Sequence, residues 1–331
     1  MGLERHWQRV TPLSALLYPL SVLFRLVVAV RRAAYSRRWL KSERVRVPVV
    51  IVGNITVGGT GKTPLVLWLT RFLADHGLTP GIVSRGYGAS LHEPVAVTPA
   101  SDPGRVGDEP VLLAQRSGCP VWVGRDRAGA ARALLEAHPR CDVVVSDDGL
   151  QHYRLERDVE LAVIDGTRAL GNGFMLPAGP LREPSSRLRK VDAIVVNGGE
   201  RAADPAKRAY GLKLEGRVFH NLMNPHHAAG AEHFQGKRVH AIAGIGNPQR
   251  FFDHLDALGL EFTAHPFPDH HAYAPGDIAF GNCDAVVMTE KDAVKCARFP
   301  NENQWVLRVE AVPDPGLGEL VLRKLKKDVT S

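Results

Sequence analysis

The stretch VVIVGNITVGGTGKTPLVLWL, Val49 to Leu69, decides the fold. It opens on a continuous β-branched apolar run, the composition of a strand buried on both faces. It closes on the apolar spacing of a helix. Between the two, Gly58, Gly59 and Gly61 stand just ahead of Lys62 and Thr63. Strand, glycine-rich turn and helix start, in that order, make a phosphate-binding loop. Backbone N–H groups cradle phosphates, a Lys reaches the β/γ-phosphates, and a Ser or Thr holds Mg²⁺. The helix that follows adds the positive end of its dipole. Here the cradle would run through Thr56, Val57, Gly58, Gly59, Thr60, Gly61 and Lys62, with Thr63 on the metal. The full pattern asks for Gly where the chain has Thr56; Thr fits there provided its φ stays negative.

Further apolar runs lie at Val47–Val52, Gly81–Ser84, Val121–Val123, Val143–Ser146, Leu161–Asp165 and Ala193–Asn197. Helix-like stretches such as Thr63–His76 and Asp126–Ala137 fall between them. This alternation predicts a doubly wound α/β layer fold. Residues 199–236 are richer in Gly, Pro, Ala and His and read as a connection, with a possible strand pair inside AYGLKLEGRVFHNL. A second α/β pattern begins at Val239, with a helix near Gln249–Leu258. Two α/β lobes with a cleft between them are expected. The divisions are residues 1–46, 47–205, 206–236 and 237–331, the last taking in a return strand and a C-terminal helix.

The net charge of +7 suggests nucleic acid until its distribution is read. Residues 1–46 hold ten Arg or Lys against Glu4 and Glu43, a charge of +8, and the remaining body carries −1. A nucleic-acid binder would show basic stripes in its body, so no nucleic-acid partner is expected. The basic segment flanks LSALLYPLSVLFRLVVAV, Leu13–Val30, which is apolar but interrupted by Pro19 and Arg25. A mid-span Arg costs about 2.5–3.5 kcal/mol on insertion scales. A helix lying in the interface avoids that cost, and each flanking Arg gains roughly 1 kcal/mol near anionic lipid; a true span and a helix buried in the protein are the alternatives. The RRAAYSRRWLK that follows does not resemble a signal-peptide cleavage site. Cys119, Cys141, Cys283 and Cys296 are too dispersed for a metal or redox pair, which fits a reduced, cytosolic setting.

Several loops carry chemistry. CDVVVSDDGLQHY ends an apolar run in Asp147 and Asp148, the position of a Mg²⁺ partner beside a phosphate loop. SRGYG puts Arg85 and Tyr87 at the same sheet edge, GDEP offers Asp108 and Glu109, and VGRDR offers Arg125. Together they supply cations for phosphate charge and a carboxylate to orient an attacking hydroxyl. FPDHHAY adds His270, a candidate proton partner for a carboxylate.

TVGGTGKT, SRGYG, GDEP, GRDR, SDDGLQH, LPAGPLREP, FPDHHAY and TEKDAVK occur in this order. On that set the sequence resembles the tetraacyldisaccharide 4'-kinases, the lipid A 4'-kinases of Gram-negative bacteria. The resemblance runs from the N-terminal apolar segment to about Val309. It implies two P-loop-type α/β/α lobes joined by a two-stranded linker, with an N-terminal membrane-associating helix. It also implies transfer of the ATP γ-phosphate, with Mg²⁺, to the 4'-hydroxyl of a tetraacylated glucosamine disaccharide 1-phosphate. The product is the 1,4'-bisphosphate. The setting is the cytoplasmic face of the bacterial inner membrane, with the enzyme peripheral or monotopic on an anionic surface through residues 1–46. Asp108, paired with His270, would activate the hydroxyl, and Lys62 and Thr63 match the nucleotide site. Asp147 and Asp148 match the metal region, and Arg85, Tyr87, Glu109, Arg125, Gln151 and His152 match positions facing the substrate. The rival is a nucleotide switch, an ATPase or GTPase. A GTPase would carry an Asn-Lys-x-Asp motif after a strand, and TEKD, Thr289–Asp292, has the wrong order.

Overall fold

The computed structural model describes residues 6–86, 93–198 and 209–328. A long helix, α1 (Pro12–Ser36), precedes two sheets. The first sheet is built from β1 (Val49–Gly53), β2 (Pro80–Ser84), β3 (Val95–Val97), β4 (Val121–Val123), β5 (Val143–Asp147), β6 (Val159–Asp165), β7 (Ala193–Asn197) and β8 (Ala209–Glu215). Helices α2 (Lys62–Asp75), α3 (Pro103–Val106), α4 (Asp108–Ser117) and α5 (Arg127–Ala137) connect its strands. The second sheet holds β9 (Phe219–Asn221), β10 (Ala228–Ala229), β11 (Val239–Ala243), β12 (Thr263–Pro266), β13 (Ala285–Thr289) and β14 (Gln304–Leu307), with α6 (Pro248–Ala257) and α7 (Glu290–Cys296). The chain then returns as β15 (Glu310–Pro313) and ends in α8 (Gly316–Asp328).

The nine-stranded order is β15-β8-β7-β6-β1-β5-β2-β4-β3, parallel except for β3 and β15 at its two edges. β1 is central, fully buried, and paired on both sides with parallel strands. That environment selects its Val and Ile run. The register sets Val52 beside Asp147 and Gly53 beside Ala162, so the ends of β5 and β6 flank the loop after β1. Ligands of open α/β sheets bind at such carboxyl edges. The second sheet, ordered β10-β9-β14-β13-β11-β12, is parallel over β14, β13, β11 and β12. The strands expected from sequence match β1, β2, β4, β5, β6 and β7 within two residues.

Three features depart from the linear reading. Gly107–Pro110 is not a free loop: Gly107, at φ +98, turns the chain into α4, which Asp108 opens. The strand pair inside 206–236 divides, β8 extending the first sheet and β9 joining the second. The C-terminal helix α8, grouped by sequence order with the second lobe, packs in the first. Leu317, Val321 and Leu325 join the core beneath β1 and α2. The two chain crossings between lobes run close together, since a Cβ on Gly216 would stand 2.3 Å from the Arg308 carbonyl oxygen.

α1 is held on one stripe only. Ser14 and Ser21 are buried, and Phe24 and Val28 pack on the body. The other faces expose Leu16, Leu23 and Val27 at 76%, 58% and 57%. Thr11 caps the helix through a reciprocal bond with Ser14.

Leu317 is wholly buried, so Leu317→Ala is expected to cost about 2–5 kcal/mol. Urea denaturation followed by tryptophan fluorescence measures it; an unchanged midpoint would refute the placement of α8 in the first core.

Candidate active site

The carboxyl edges of the two sheets face each other across a cleft of about 790 Å³. The phosphate loop forms its floor. Gly58 and Gly61 lie at φ +98 and +89, where L side chains are strained. A Cβ on Gly61 would also stand 2.3 Å from Asn197 Nδ2, which donates to the Thr60 carbonyl at 3.0 Å. Thr56 is not among the residues of positive φ, and it bridges to Leu181 as extended backbone. That is why the missing glycine does not matter. Val57 N donates to the Pro180 carbonyl at 2.9 Å and Arg182 N to the Ile55 carbonyl at 2.7 Å, which pins the outer edge of the loop.

Lys62 Nζ lies 3.5 Å from Asp148 Oδ1, and Arg182 Nη1 donates to Asp148 Oδ2 at 3.0 Å. Burial pushes the Asp148 carboxyl up, but Lys62 and Arg182 outweigh it and hold the group well below the usual range. Asp148 lines the cleft; Asp147, at the tip of β5, lies beneath it at 1% exposure. Ser84 Oγ donates to Asp147 Oδ2 at 3.0 Å, while Oδ1 has no hydrogen-bond partner among the described residues. Burial, then the charges of Glu109 and Asp148, push the Asp147 carboxyl upward. A buried, unpartnered carboxylate oxygen beside a phosphate loop suits a hard cation. No group of three His, Cys, Asp or Glu forms a metal cage among the described residues. The Thr63 hydroxyl and the Asp147 and Asp148 carboxylates are hard oxygen donors of the kind that suits Mg²⁺.

The opposite wall mixes both lobes. Asp108, the first residue of α4, is 5% exposed and sits at the positive end of that helix. His270 Nδ1 lies 3.2 Å from both of its oxygens. Lys291 Nζ approaches to 3.9 Å and Lys295 Nζ to 4.0 Å, both from α7. Burial raises the Asp108 pKa, but the His270 bond and the Lys291, His270 and Lys295 charges overcome it, so the carboxyl sits below its ordinary range. Lys291 also pairs with Glu109 at 3.1 Å and Asp269 at 3.2 Å. A second chamber of about 510 Å³ adjoins the loop, lined by Thr63, Asn197, Arg250 and Phe251 among others.

The structure brings Lys62, Asp108, Glu109, Asp148, Arg85 and His270 around one cleft. Arg125 is exposed and does not line it. Gln151 donates to the Asn54 carbonyl at 3.0 Å, bracing the strand end before the loop. His152 is not a cation: burial, then Arg127 and Arg85, push its pKa down to about 3. Tyr87 lies outside the described residues. Sequence reading missed Arg168, Arg182, Asp165, Lys291 and Lys295. The two lysines were findable, because positions four apart share one helix face. Arg127, 1% exposed, donates to the Gly124 carbonyl at 2.9 Å and places its charge beneath Asp147 and Asp148.

Comparison with known proteins is in keeping with this geometry. The family model described as Tetraacyldisaccharide-1-P 4'-kinase matches residues 13–326. The chain belongs to this family. The tetraacyldisaccharide 4'-kinase of Methylobacillus flagellatus is 52% identical over 325 residues, spanning 98% of this chain and 96% of the relative. That of Azoarcus sp. (strain BH72) is 50% identical over 323 residues, spanning 97% and 94%. The crystal structure of the "apo" form of LpxK from Aquifex aeolicus in complex with ATP superposes with a TM-score of 0.80 at 28% identity, covering 95% of this chain and 99% of that one. The family membership accounts for the α/β lobes that the two sheets build here.

Two expectations follow. Gly61→Ala should abolish nucleotide binding while leaving the fold intact, read by ATP titration and circular dichroism; retained affinity would count against the cradle. His152 is neutral when folded and titrates near 6.5 when free. Stability is therefore lost as pH falls from about 6.5 toward 3, where the unfolded chain binds the extra proton. His152→Gln should flatten that stretch of the stability–pH curve, and equal slopes in both proteins would contradict the burial argument.

Proposed function

We propose that this protein transfers the γ-phosphate of ATP to the 4'-hydroxyl of a tetraacyldisaccharide 1-phosphate, giving the 1,4'-bisphosphate. The observation that carries the reading is the Asp108–His270 pair, held at 3.2 Å and facing the phosphate loop across one cleft, in a member of this family. The loop amides and Lys62 bind the β/γ-phosphates. Asp108 orients the 4'-hydroxyl and takes its proton as the new O–P bond forms and the bond from the γ-phosphorus to the β,γ-bridging oxygen breaks, releasing ADP, while His270 fixes the carboxylate's direction. A carboxyl held below its usual range is a weak base. Such transfers pass through a loose transition state, in which positioning and charge neutralisation outweigh base strength. Thr63, Asp147 and Asp148 would hold Mg²⁺, which supplies charge neutralisation on the phosphates. Arg85 and Arg182 add positive charge at the cleft wall. Tyr87, Glu109, Gln151 and His152 are candidates for the sugar side, His152 as a neutral hydrogen-bonding group, whereas Arg125 lies away from the cleft.

The acceptor's acyl chains cannot leave a bilayer cheaply, at about 0.8 kcal/mol per buried CH₂. We assign the exposed apolar faces of α1 to the cytoplasmic face of the inner membrane, with the Arg-rich flanks of residues 1–46 on anionic headgroups. This helix is long and apolar enough to cross a membrane, and most of its apolar stretch is exposed. Residues 1–46 form the membrane segment, 47–205 the nucleotide lobe, 206–236 the linker and 237–331 the second lobe, with 310–328 returning to the first.

Purified enzyme, ATP, Mg²⁺ and tetraacyldisaccharide 1-phosphate in detergent micelles should yield the bisphosphate. Asp108→Asn should lower kcat about 10²–10⁴-fold, and Lys62→Ala should abolish turnover and weaken ATP binding. Near-normal turnover of Asp108→Asn would overturn the assigned role. A chain shortened to begin at residue 41 that still sediments with membranes would overturn the anchor.

A further inference from the structure

The lobes also meet beside the phosphate loop. The turn after β11, Gly244–Asn247, lies against the phosphate loop. A Cβ on Gly246 would stand 2.4 Å from Gly59 N and 3.2 Å from Gly58 C, so backbone rests on backbone. Arg168, on the turn that leaves β6, spans this contact. Its Nη2 donates to the Gly59 carbonyl at 2.5 Å and its Nη1 to the Gly246 carbonyl at 3.1 Å. Its Nε donates to Asp165 Oδ2 at 3.1 Å. Asp165 is 2% exposed and also accepts from two residues of the second lobe, Arg250 Nη2 at 2.8 Å and Asn247 Nδ2 at 3.4 Å. One guanidinium thus reads the loop of the first lobe, the turn of the second, and a buried carboxylate that the second lobe also grips.

The geometry points to Arg168 as a positioning residue for phosphoryl transfer: it clamps the phosphate loop to the Gly244–Asn247 turn and so sets the gap across which phosphate and hydroxyl meet. This rests on the reading of the cleft as a kinase site. The loop and Asp108 belong to the first lobe, whereas His270, Lys291 and Lys295 belong to the second. The reacting geometry is therefore only as well defined as the distance between lobes. The Arg168 guanidinium donates to Asp165, Gly246 and Gly59 and acts through the backbone of the loop. A planar fork with three fixed acceptors cannot be replaced by the point charge of lysine.

The test uses the full-length enzyme in detergent micelles with Arg168→Gln, Arg168→Lys and Gly246→Ala. Gly246→Ala is chosen because it leaves Arg168 in place and inserts only a methyl group at the backbone contact. Both Arg168→Gln and Gly246→Ala should lower kcat about tenfold or more, as a misplacement near 1 Å does. The directly titrated ATP Kd should rise by a smaller factor than kcat falls, because Lys62 and the remaining loop amides still hold the nucleotide while the gap across the cleft has shifted. Arg168→Lys should fail to restore kcat. Hydrogen exchange across 56–61 should quicken in Arg168→Gln, a readout independent of turnover. If Arg168→Gln does not fold, Gly246→Ala alone decides. A kcat within about twofold of the parent in folded Gly246→Ala, or a loss confined to ATP affinity, overturns the proposal. Failure of the parent enzyme to form bisphosphate would instead remove the kinase reading, and the exchange measurement would still report whether Arg168 clamps the loop.

Discussion

A single carboxylate on one sheet is held by the cations of another, and the site depends on that attraction. Asp108 opens a helix of the first lobe, yet His270, Lys291 and Lys295 of the second surround it. Buried charge of one sign is expensive without a partner. Among the described residues the basic groups within 4.0 Å of Asp108 all come from the second lobe, so bringing the carboxyl edges together resolves a buried charge of the first lobe. Glu109 and Asp269, from different lobes, share Lys291 in the same way. The result is a cleft with fixed cations around one oriented carboxylate, an arrangement suited to stabilising developing charge at low reorganisation cost.

Backbone strain gathers in the same place. Asp148 at φ +49 and His270 at φ +60 are non-glycine residues in left-handed conformations, one on each side of the cleft. Such conformations persist where surroundings over-determine them. Asp148 is held by Lys62 and Arg182, and His270 by Asp108 and the bond from its own N–H to Asp269 Oδ1. In each case the contacts that hold the side chain are the contacts that the proposed chemistry uses.

Much of the first lobe was legible because parallel buried strands announce themselves as unbroken Val and Ile runs. The loop was legible because its glycines and Lys62 have a fixed spacing. The Asp108–His270 pairing was not contained in spacing at all; 162 residues separate them, and only family resemblance joined them. α4 was hidden because DEP starts a helix behind a glycine rather than behind a Ser or Asp cap. α8 was misplaced because sequence order carries no sign that the chain has crossed back. Arg168 and Asp165 sit in DGTR, a turn of ordinary composition, and become informative only when Gly246 arrives from the other lobe.

Residues 172–182 touch two things that have no sequence proximity. Ser21 of α1 donates to the Met175 carbonyl and accepts from Ala178 N, and Trp7 donates to the Pro177 carbonyl. A few residues further on, Pro180 and Arg182 are bonded to the phosphate loop. If α1 rests on a bilayer as proposed, this short segment works as a depth gauge. The height of the phosphate-binding floor above the lipid surface becomes a constructed dimension of the protein. Acceptors of different chain length would then present their sugar hydroxyl at the same level, because the gauge is referenced to headgroups and not to the depth of the acyl region.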